Sequence, residues 1–397
     1  GSDVNLNPND NLTIAMQSKL TIDASELDFS ASAPEVLTVT VTSSSVPLDI
    51  TGGGSGDIID GGAGNDTISG GTGADIIDGN GGLDNLSGGA GNDTFTLNSK
   101  AEFSTAYGTD IIDGGAGNDT VTFTGSQNLT AANLATITNT ETWSIPDGSD
   151  FTLSDAVMAN NPDLYFSFAG SGTLSTGEDS LGKSLMTTAL NITSTSAGDL
   201  KFVASSSDDS FTFDKTENLT ASDTIDGNAG TDTINIYNDD QRPGVSGYGV
   251  GDATPVVFGA NVTNVEKLVV LDTGADDAAG DVTVTINSGY TGTAFEIDAS
   301  ALDANVTSSA GEALTVDNNA GATYGLKLTV KGGEFADTIS SGAGADIITG
   351  NGGADTINAE GGNDVVDGGA GADIIDGGTG LDNISAGAGN DTINVAN

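Results

Sequence analysis

An all-β fold, made of short-strand coils alternating with β-solenoid or β-sandwich segments, is what this sequence predicts, on three observations. A nine-residue pattern recurs in two blocks, and each copy carries a large apolar residue in its eighth position, two places after an Asp. The 59 glycines, with abundant Asp, Asn, Thr and Ser, disfavour helix and favour strand and turn. Runs rich in Thr, Val and Ile, broken at Gly, Asn and Asp, fill the stretches between the blocks. An acidic, aromatic-poor chain would otherwise read as disordered. The repeat argues for order.

In chain order the segments are an N-terminal β-rich stretch (1–51), a first repeat block (52–122), a β-rich stretch (123–222), a short repeat turn (223–236), another β-rich stretch (237–331) and a second block (332–397). From Gly52 the chain reads GGGSGDIID, GGAGNDTIS, GGTGADIID, GNGGLDNLS and GGAGNDTFT without a gap. The sixth positions are Asp57, Asp66, Asp75, Asp84 and Asp93, and the eighth are Ile59, Ile68, Ile77, Leu86 and Phe95. From Gly332 seven more copies place Asp337, Asp346, Asp355, Asp364, Asp373, Asp382 and Asp391 in the sixth position. Shorter echoes carry Asp110 with Asp119, and Asp223 with Asp232.

The first six residues of each copy form a turn, because Gly supplies positive φ and lets backbones approach closely. The last three form a short strand with one inward apolar residue. Two copies make one coil, so residues 18 apart stack: Asp57 over Asp75, Asp355 over Asp373. Strands lie about 4.8 Å apart, and carboxylates stacked at that range repel unless a cation separates them. Lys and Arg total 9 against 57 acids, of which 46 are Asp, leaving a net charge of −48. The protein's own cations are too few.

The donor set selects the ion. There is no His and no Cys, which excludes thiolate and imidazole metal sites, disulfides and cysteine catalysis. Carboxylate and carbonyl oxygens in flexible Gly-rich turns suit Ca²⁺ over Mg²⁺, which resists dehydration, and over transition metals. A polyanion of this kind is not a nucleic-acid binder. No run of about 18 apolar residues offers a membrane span.

GGAGNDTIS, GGAGNDTVT and GGAGADIID resemble the repeats-in-toxin (RTX) calcium-binding nonapeptide of secreted bacterial proteins. The resemblance implies right-handed parallel β-rolls in which the sixth-position Asp and backbone carbonyls hold on the order of ten Ca²⁺ ions between turns. Ninth-position Asp60, Asp78, Asp113, Asp226, Asp367 and Asp376 are candidates for an added ligand to the next turn. Departures from the pattern are Ser55, a Gly82 shifted by one, Phe335, Ser341 and the pair Ala359-Glu360; they are expected to weaken individual sites.

The other stretches echo one another. LTIDASELD (20–28) returns as FEIDASALD (295–303), and GGAGNDTVTF…ATITNTETWSI (114–145) returns as GNAGTDTINI…ANVTNVEKLVV (227–270). Glu141 and Glu266 fall at matching places and read as turn residues. No HExxH or GxSxG motif is present; YGVGD (248–252) is similar to a carbohydrate-epimerase motif but lacks basic and His partners, and reads as a surface loop. Gly1-Ser2 reads as an expression remnant, and the register still running at Asp391–Asn394 leads to the expectation that the natural chain continues. The expected function is that of a non-enzymatic, extracellular calcium-binding structural protein, similar to surface-layer or biofilm-matrix RTX proteins of Gram-negative bacteria. It would associate with itself in sheets or filaments, with a cell-surface polysaccharide as candidate partner. The alternatives are a segment of a large adhesin and an accessory region of a secreted enzyme.

Overall fold

Each nonapeptide folds as one turn and one short strand, and alternate strands go to opposite sheets. This is seen in a computed structural model of the chain, which describes residues 3–4, 20–25, 36–41, 45–98, 109–162, 164–168, 170–176, 186–194, 199–213, 219, 222–237, 255–271, 281–287, 289–290, 292–302, 312–318 and 325–394. In Ile58–Asp60, Ile76–Asp78 and Ile347–Thr349 the middle residue is buried and the first is exposed. The period of two along a strand therefore turns the eighth-position side chain inward. The chain divides into two compact units, residues 1–177 and 178–397.

In the first unit one ladder runs Asp3–Val4, Leu20–Asp23, Leu48–Thr51, Thr67–Thr72, Asn85–Ala90, Ile111–Ala116, Ile137–Thr138. The opposing ladder runs Thr38–Val39, Ile58–Asp60, Ile76–Asp78, Thr94–Leu97, Thr120–Phe123, Thr142–Ile145, Tyr165–Phe168. Ile59 pairs with Ile77, 18 residues on, whereas Leu86 pairs with Ile112, 26 residues on. A coil can lengthen at a turn without losing its strand register.

In the second unit the longest ladder includes Thr233–Tyr237, Lys267–Leu271, Ala294–Asp298, Lys327–Lys331, Ile347–Thr349, Val365–Asp367 and Asn383–Ser385. Opposite it stand Val256–Phe258, Val282–Ile286, Leu314–Asp317, Thr338–Ser340, Thr356–Asn358, Ile374–Asp376 and Thr392–Asn394. Among the described residues every strand pairing is parallel, in the repeat blocks and between them alike. The intervening stretches are therefore β-solenoid. The sandwich alternative fails because it requires antiparallel strands.

What changes between the blocks is the filling. Most repeat copies bury a single apolar side chain, as with Ile59, Ile77 and Ile348. The longer coils around residues 120–170 stack Val121, Trp143 and Phe166 in one column. Trp143 is fully buried, meets Phe166 edge-on at 5.8 Å, and donates its indole N–H to Thr140 Oγ1 at 2.9 Å. Burying one such side chain is worth about 1.5–3 kcal/mol. Two short helices, Ala131–Leu134 and Asp155–Asn160, sit at coil corners. Among the described residues no helix is long and apolar enough to cross a membrane.

Candidate metal sites in the nonapeptide turns

In most copies the turn uses two residues at positive φ, the second and the fourth. Gly71 (φ 109°) and Gly73 (φ 127°) are one such pair. At the fourth position a side chain would collide with backbone: a methyl carbon on Gly91 would lie 1.6 Å from the Gly73 carbonyl oxygen. At the second position Asn and even Glu are tolerated, as at Asn80, Asn228, Asn351 and Glu360 (φ 60–71°). This corrects the reading of Gly82 as shifted. Gly82 (φ 151°) is in register at the fourth position, and the substitution is Asn80 at the second.

Each sixth-position Asp then has a divided task. Its Oδ1 accepts the backbone N–H of the residue one coil earlier, a Leu where a block begins, as Leu48 N–H to Asp66 at 2.7 Å, and an Asp within it: Asp57 N–H to Asp75 at 2.7 Å, Asp75 N–H to Asp93 at 2.8 Å, Asp355 N–H to Asp373 at 2.9 Å. The carboxylates form a ladder, each tied to the backbone of the previous one. Their Oδ2 atoms fold back over the first glycine of the same copy. A methyl carbon on Gly70 would lie 2.2 Å from Asp75 Oδ2 and 2.7 Å from the carbonyl oxygen of Gly88, one coil on. On Gly350 the same distances are 2.3 Å to Asp355 Oδ2 and 2.4 Å to the Gly368 oxygen. Glycine leaves room for two oxygens there, and Ser341, Ala359 and Ala386 are the side chains found at the same position in other copies.

Among the described residues, Oδ2 of Asp66, Asp75, Asp93, Asp110, Asp119, Asp232, Asp355, Asp364 and Asp373 has no hydrogen-bond partner, although these residues are 0–2% exposed. Burying a charged oxygen without a partner is costly. Burial accordingly pushes Asp66, Asp75, Asp110, Asp119 and Asp355 up to about 6 and Asp232 up to about 7, with neighbouring carboxylates adding to the rise. Asp57, Asp93 and Asp364 are raised for the same reason.

Three turns differ. At Asp57, Asp337 and Asp209 the second-position N–H, from Gly53, Gly333 and Ser205, donates to Oδ2 at 2.8, 2.9 and 2.9 Å. Gly53, Gly333 and Ser205 all lie outside the positive-φ set. The second-position dihedral thus decides whether the carboxylate is satisfied by its own turn. With φ positive, Oδ2 is left for something else.

An oxygen-only donor set, a buried unpartnered carboxylate oxygen and a convergent carbonyl fit Ca²⁺, which takes about 6–8 oxygens in flexible geometry. No three acidic side chains converge on one point among the described residues. Each candidate site is instead a carboxylate plus backbone carbonyls. Asp84 is buried in the same ladder, its Oδ1 accepting from Asp66 N–H at 2.7 Å, and Asp346 likewise accepts from Leu328 N–H at 2.7 Å. Asp223 accepts from Leu200 N–H at 2.7 Å. Asp382 and Asp391 occupy the same register, half-buried, with Oδ1 accepting from Asp364 and Asp373 N–H at 3.1 Å.

The ninth-position residues lie on the outer face. Asp60 and Asp113 accept from Asn80 and Asn139 side chains at 2.8 and 2.7 Å; Asp226 accepts from Asn264 at 2.7 Å and Asp376 from Gly378 N–H at 3.0 Å. Asp78 accepts from Asn98, and Asp367 is exposed. These bonds tie successive turns along the outside.

Sequence reasoning missed Asp209. Its turn, Ala204-Ser205-Ser206-Ser207-Asp208-Asp209, holds no glycine, yet Asp209 N–H donates to Asp232 Oδ1 at 2.7 Å. The available signal was the apolar Phe211 two places on. It also gave Glu141 and Glu266 no place in the ladder, where each accepts from an Asp N–H. YGVGD (248–252) lies outside the described residues.

The family model for the RTX calcium-binding nonapeptide repeat matches residues 51–86, 60–95, 105–123, 220–235, 331–366 and 367–396. No curated protein gives a significant match. The matched stretches are the ones that build the carboxylate ladders, and the calcium the family takes is what their buried oxygens fit. These stretches of the chain are RTX calcium-binding nonapeptide repeats.

Proposed function

We propose that this chain is an extracellular, non-catalytic structural protein whose folding and self-association depend on Ca²⁺, as a surface-layer or biofilm-matrix subunit. The observation that carries the reading is the row of buried Oδ2 atoms without partners in a protein of net charge −48. Such a ladder is stable only where calcium is plentiful. Sites of extracellular modules work at about 10⁻⁴–10⁻³ M, a concentration met outside cells. On the order of ten ions would cancel roughly 20 charges and let copies approach. Seventh-position Ile347 and Val365, neighbours on one ladder and 38% and 46% exposed, give a stacked aliphatic face for a second copy. A cell-surface polysaccharide is the candidate anchor.

Electron microscopy of the purified chain with millimolar Ca²⁺, and again after chelation, tests this. Sheets or filaments that dissolve on chelation are the expected result. A calcium-loaded protein that stays monomeric at high concentration overturns the assembly reading and moves an adhesin segment ahead of it.

A further inference from the structure

Where two of the repeat ladders run into the solenoid beyond them, the next coil supplies a carbonyl and a carboxylate from a shorter turn outside the nonapeptide pattern. Thr138-Asn139-Thr140-Glu141 follows Asp119 in the ladder, and Thr263-Asn264-Val265-Glu266 follows Asp232. Asn139 and Asn264 adopt φ of 51° and 52°. Their carbonyls take the place of the glycine carbonyl in a regular turn. A methyl carbon on Gly114 would lie 1.9 Å from the Asn139 oxygen and 2.7 Å from Asp119 Oδ2; on Gly227 the distances are 1.9 Å to the Asn264 oxygen and 2.4 Å to Asp232 Oδ2.

The glutamates take the place of the next Asp. Glu141 Oε2 accepts from Asp119 N–H at 2.6 Å, and Glu266 Oε2 accepts from Asp232 N–H at 2.9 Å. The Asn side chains bind Asp113 and Asp226 at 2.7 Å each, which locks both turns onto the preceding coil. Different supports hold the two copies. Thr140 is bound by Asn161 and Trp143 in one, at 2.8 and 2.9 Å, and the Val265 carbonyl by the Tyr290 hydroxyl at 2.6 Å in the other. Two scaffolds converge on one arrangement of oxygens.

Asp119 and Asp232 are each 0% exposed, and their Oδ2 atoms have no hydrogen-bond partner among the described residues. We infer that Asp119, Asn139 and Glu141, and likewise Asp232, Asn264 and Glu266, form two closing Ca²⁺ sites, each completed by a carbonyl and a carboxylate from beyond the repeat. Like the Asp of a regular rung, each Glu holds the N–H of the previous coil with one oxygen and has a second oxygen to offer an ion. The family model ends at residues 123 and 235, short of both turns. The inference rests on the calcium reading of the repeats.

Native mass spectrometry or equilibrium dialysis of the full chain counts the ions. Glu141→Gln and Glu266→Gln keep an acceptor for the Asp N–H but remove the charge. Each is expected to take up one ion fewer than the parent, and the double variant two fewer. Glu141→Asp and Glu266→Asp, which restore the residue type of a regular rung, are expected to recover the ion. Asn139→Gly and Asn264→Gly keep the carbonyl and the positive φ, and are expected to leave the count unchanged. An unchanged count in the glutamine variants overturns the inference, as does failure of Asp to recover an ion that Gln loses. A parent that takes up no calcium overturns the reading of the repeats instead.

Discussion

The last repeat block and the solenoid stretch just before it share one ladder, yet they neutralise their carboxylates in opposite ways. In the block, Asp355 has one oxygen on a backbone N–H, the other without a partner, and a pKa pushed up to about 6 by burial. In the stretch, Glu296 and Asp298 stand beside two lysines. Lys331 Nζ reaches Asp298 at 2.9 Å and Glu296 at 3.0 Å, and Lys267 reaches Glu296 at 3.2 Å. Burial pushes both carboxyls up, but hydrogen bonds outweigh it, from the lysines on Glu296 and from Ser300 and Lys331 on Asp298, and both pKa values fall below their ordinary range. The cores differ in the same sense. Ala294–Asp298 buries Phe295 and Ile297, whereas Ile347–Thr349 buries Ile348 alone. One aliphatic side chain, about 1.5–3 kcal/mol, does not offset ordering nine residues at about 1–2 kcal/mol each. The stretch carries its own cations and core; the block depends on ions from solution.

The sharpest way to break this comparison is to remove calcium. Chelation is expected to abolish hydrogen-exchange protection in Ile347–Thr349, Val365–Asp367 and Ile374–Asp376, while Lys267–Leu271 and Ala294–Asp298 stay protected. Equal loss in both regions, or none, would show that the two share one source of stability.

Single rungs come next. Asp355→Ala leaves Asp337 N–H without its acceptor and removes an oxygen from the middle of the ladder. It is expected to disturb two ions and to cost about 1–3 kcal/mol for the buried donor alone. Asp391→Ala, half-buried at the last described rung, is expected to disturb one. Calorimetry that finds equal losses at the two positions would remove the case for stacking at an interval of 18.

Acid acts on the two regions with opposite sign. The block's Asp355 titrates at about 6 in the fold without ions and at about 3.9 when unfolded. A raised pKa contributes stability that is fully present below about 3.9 and lost as pH rises through about 6. In chelator, lowering the pH from 7.5 to 5 is therefore expected to recover strand signal by circular dichroism. With calcium present, protons compete, and affinity is expected to drop below pH of about 6. Glu296 and Asp298 have depressed pKa values, so their contribution is present above the unfolded values of about 4 and lost as pH falls below them. A roll that loses strand on acidification in chelator would contradict the raised pKa.

Much of this contrast was legible in the residues and part was not. The Asp-x-Ile spacing gave the turn, the inward residue and the interval of 18, because glycine and strand chemistry are local. The parallel pairing of stretches such as Lys267–Leu271 with Ala294–Asp298 was not legible. Alternating Val, Thr and Ile define a half-buried strand without saying which partner covers it. Nor could the sequence separate Asp57 from Asp75. The difference lies in the φ of Gly53 and Gly71, and glycine permits either conformation. Asp209 escaped because its turn satisfies the carboxylate with Ser205 rather than with a glycine-lined space.

The smallest expected effect concerns the lysines. Lys331 is 42% exposed in its side chain, and pairs of that exposure contribute about 0.2–1 kcal/mol. Lys331→Gln is expected to lower stability at saturating calcium by no more than that, with less effect at high salt. It has a second consequence that a plain surface pair would not have. Lys331 is the last residue of Lys327–Lys331, and Lys331 pairs with Thr349 of the first short strand in the same ladder. Without its ammonium, Glu296 and Asp298 carry two charges with, among the described residues, only Lys267 beside them, 3.2 and 3.7 Å away. The stretch then acquires a shortage of cations like that of the block. Stability of Lys331→Gln is accordingly expected to rise more steeply with calcium concentration than that of the parent, measured by thermal unfolding across a calcium series. Parallel curves for the two proteins would mean that the lysine pairs and the calcium ladder are independent, and that the boundary between the regions lies at Lys331 itself.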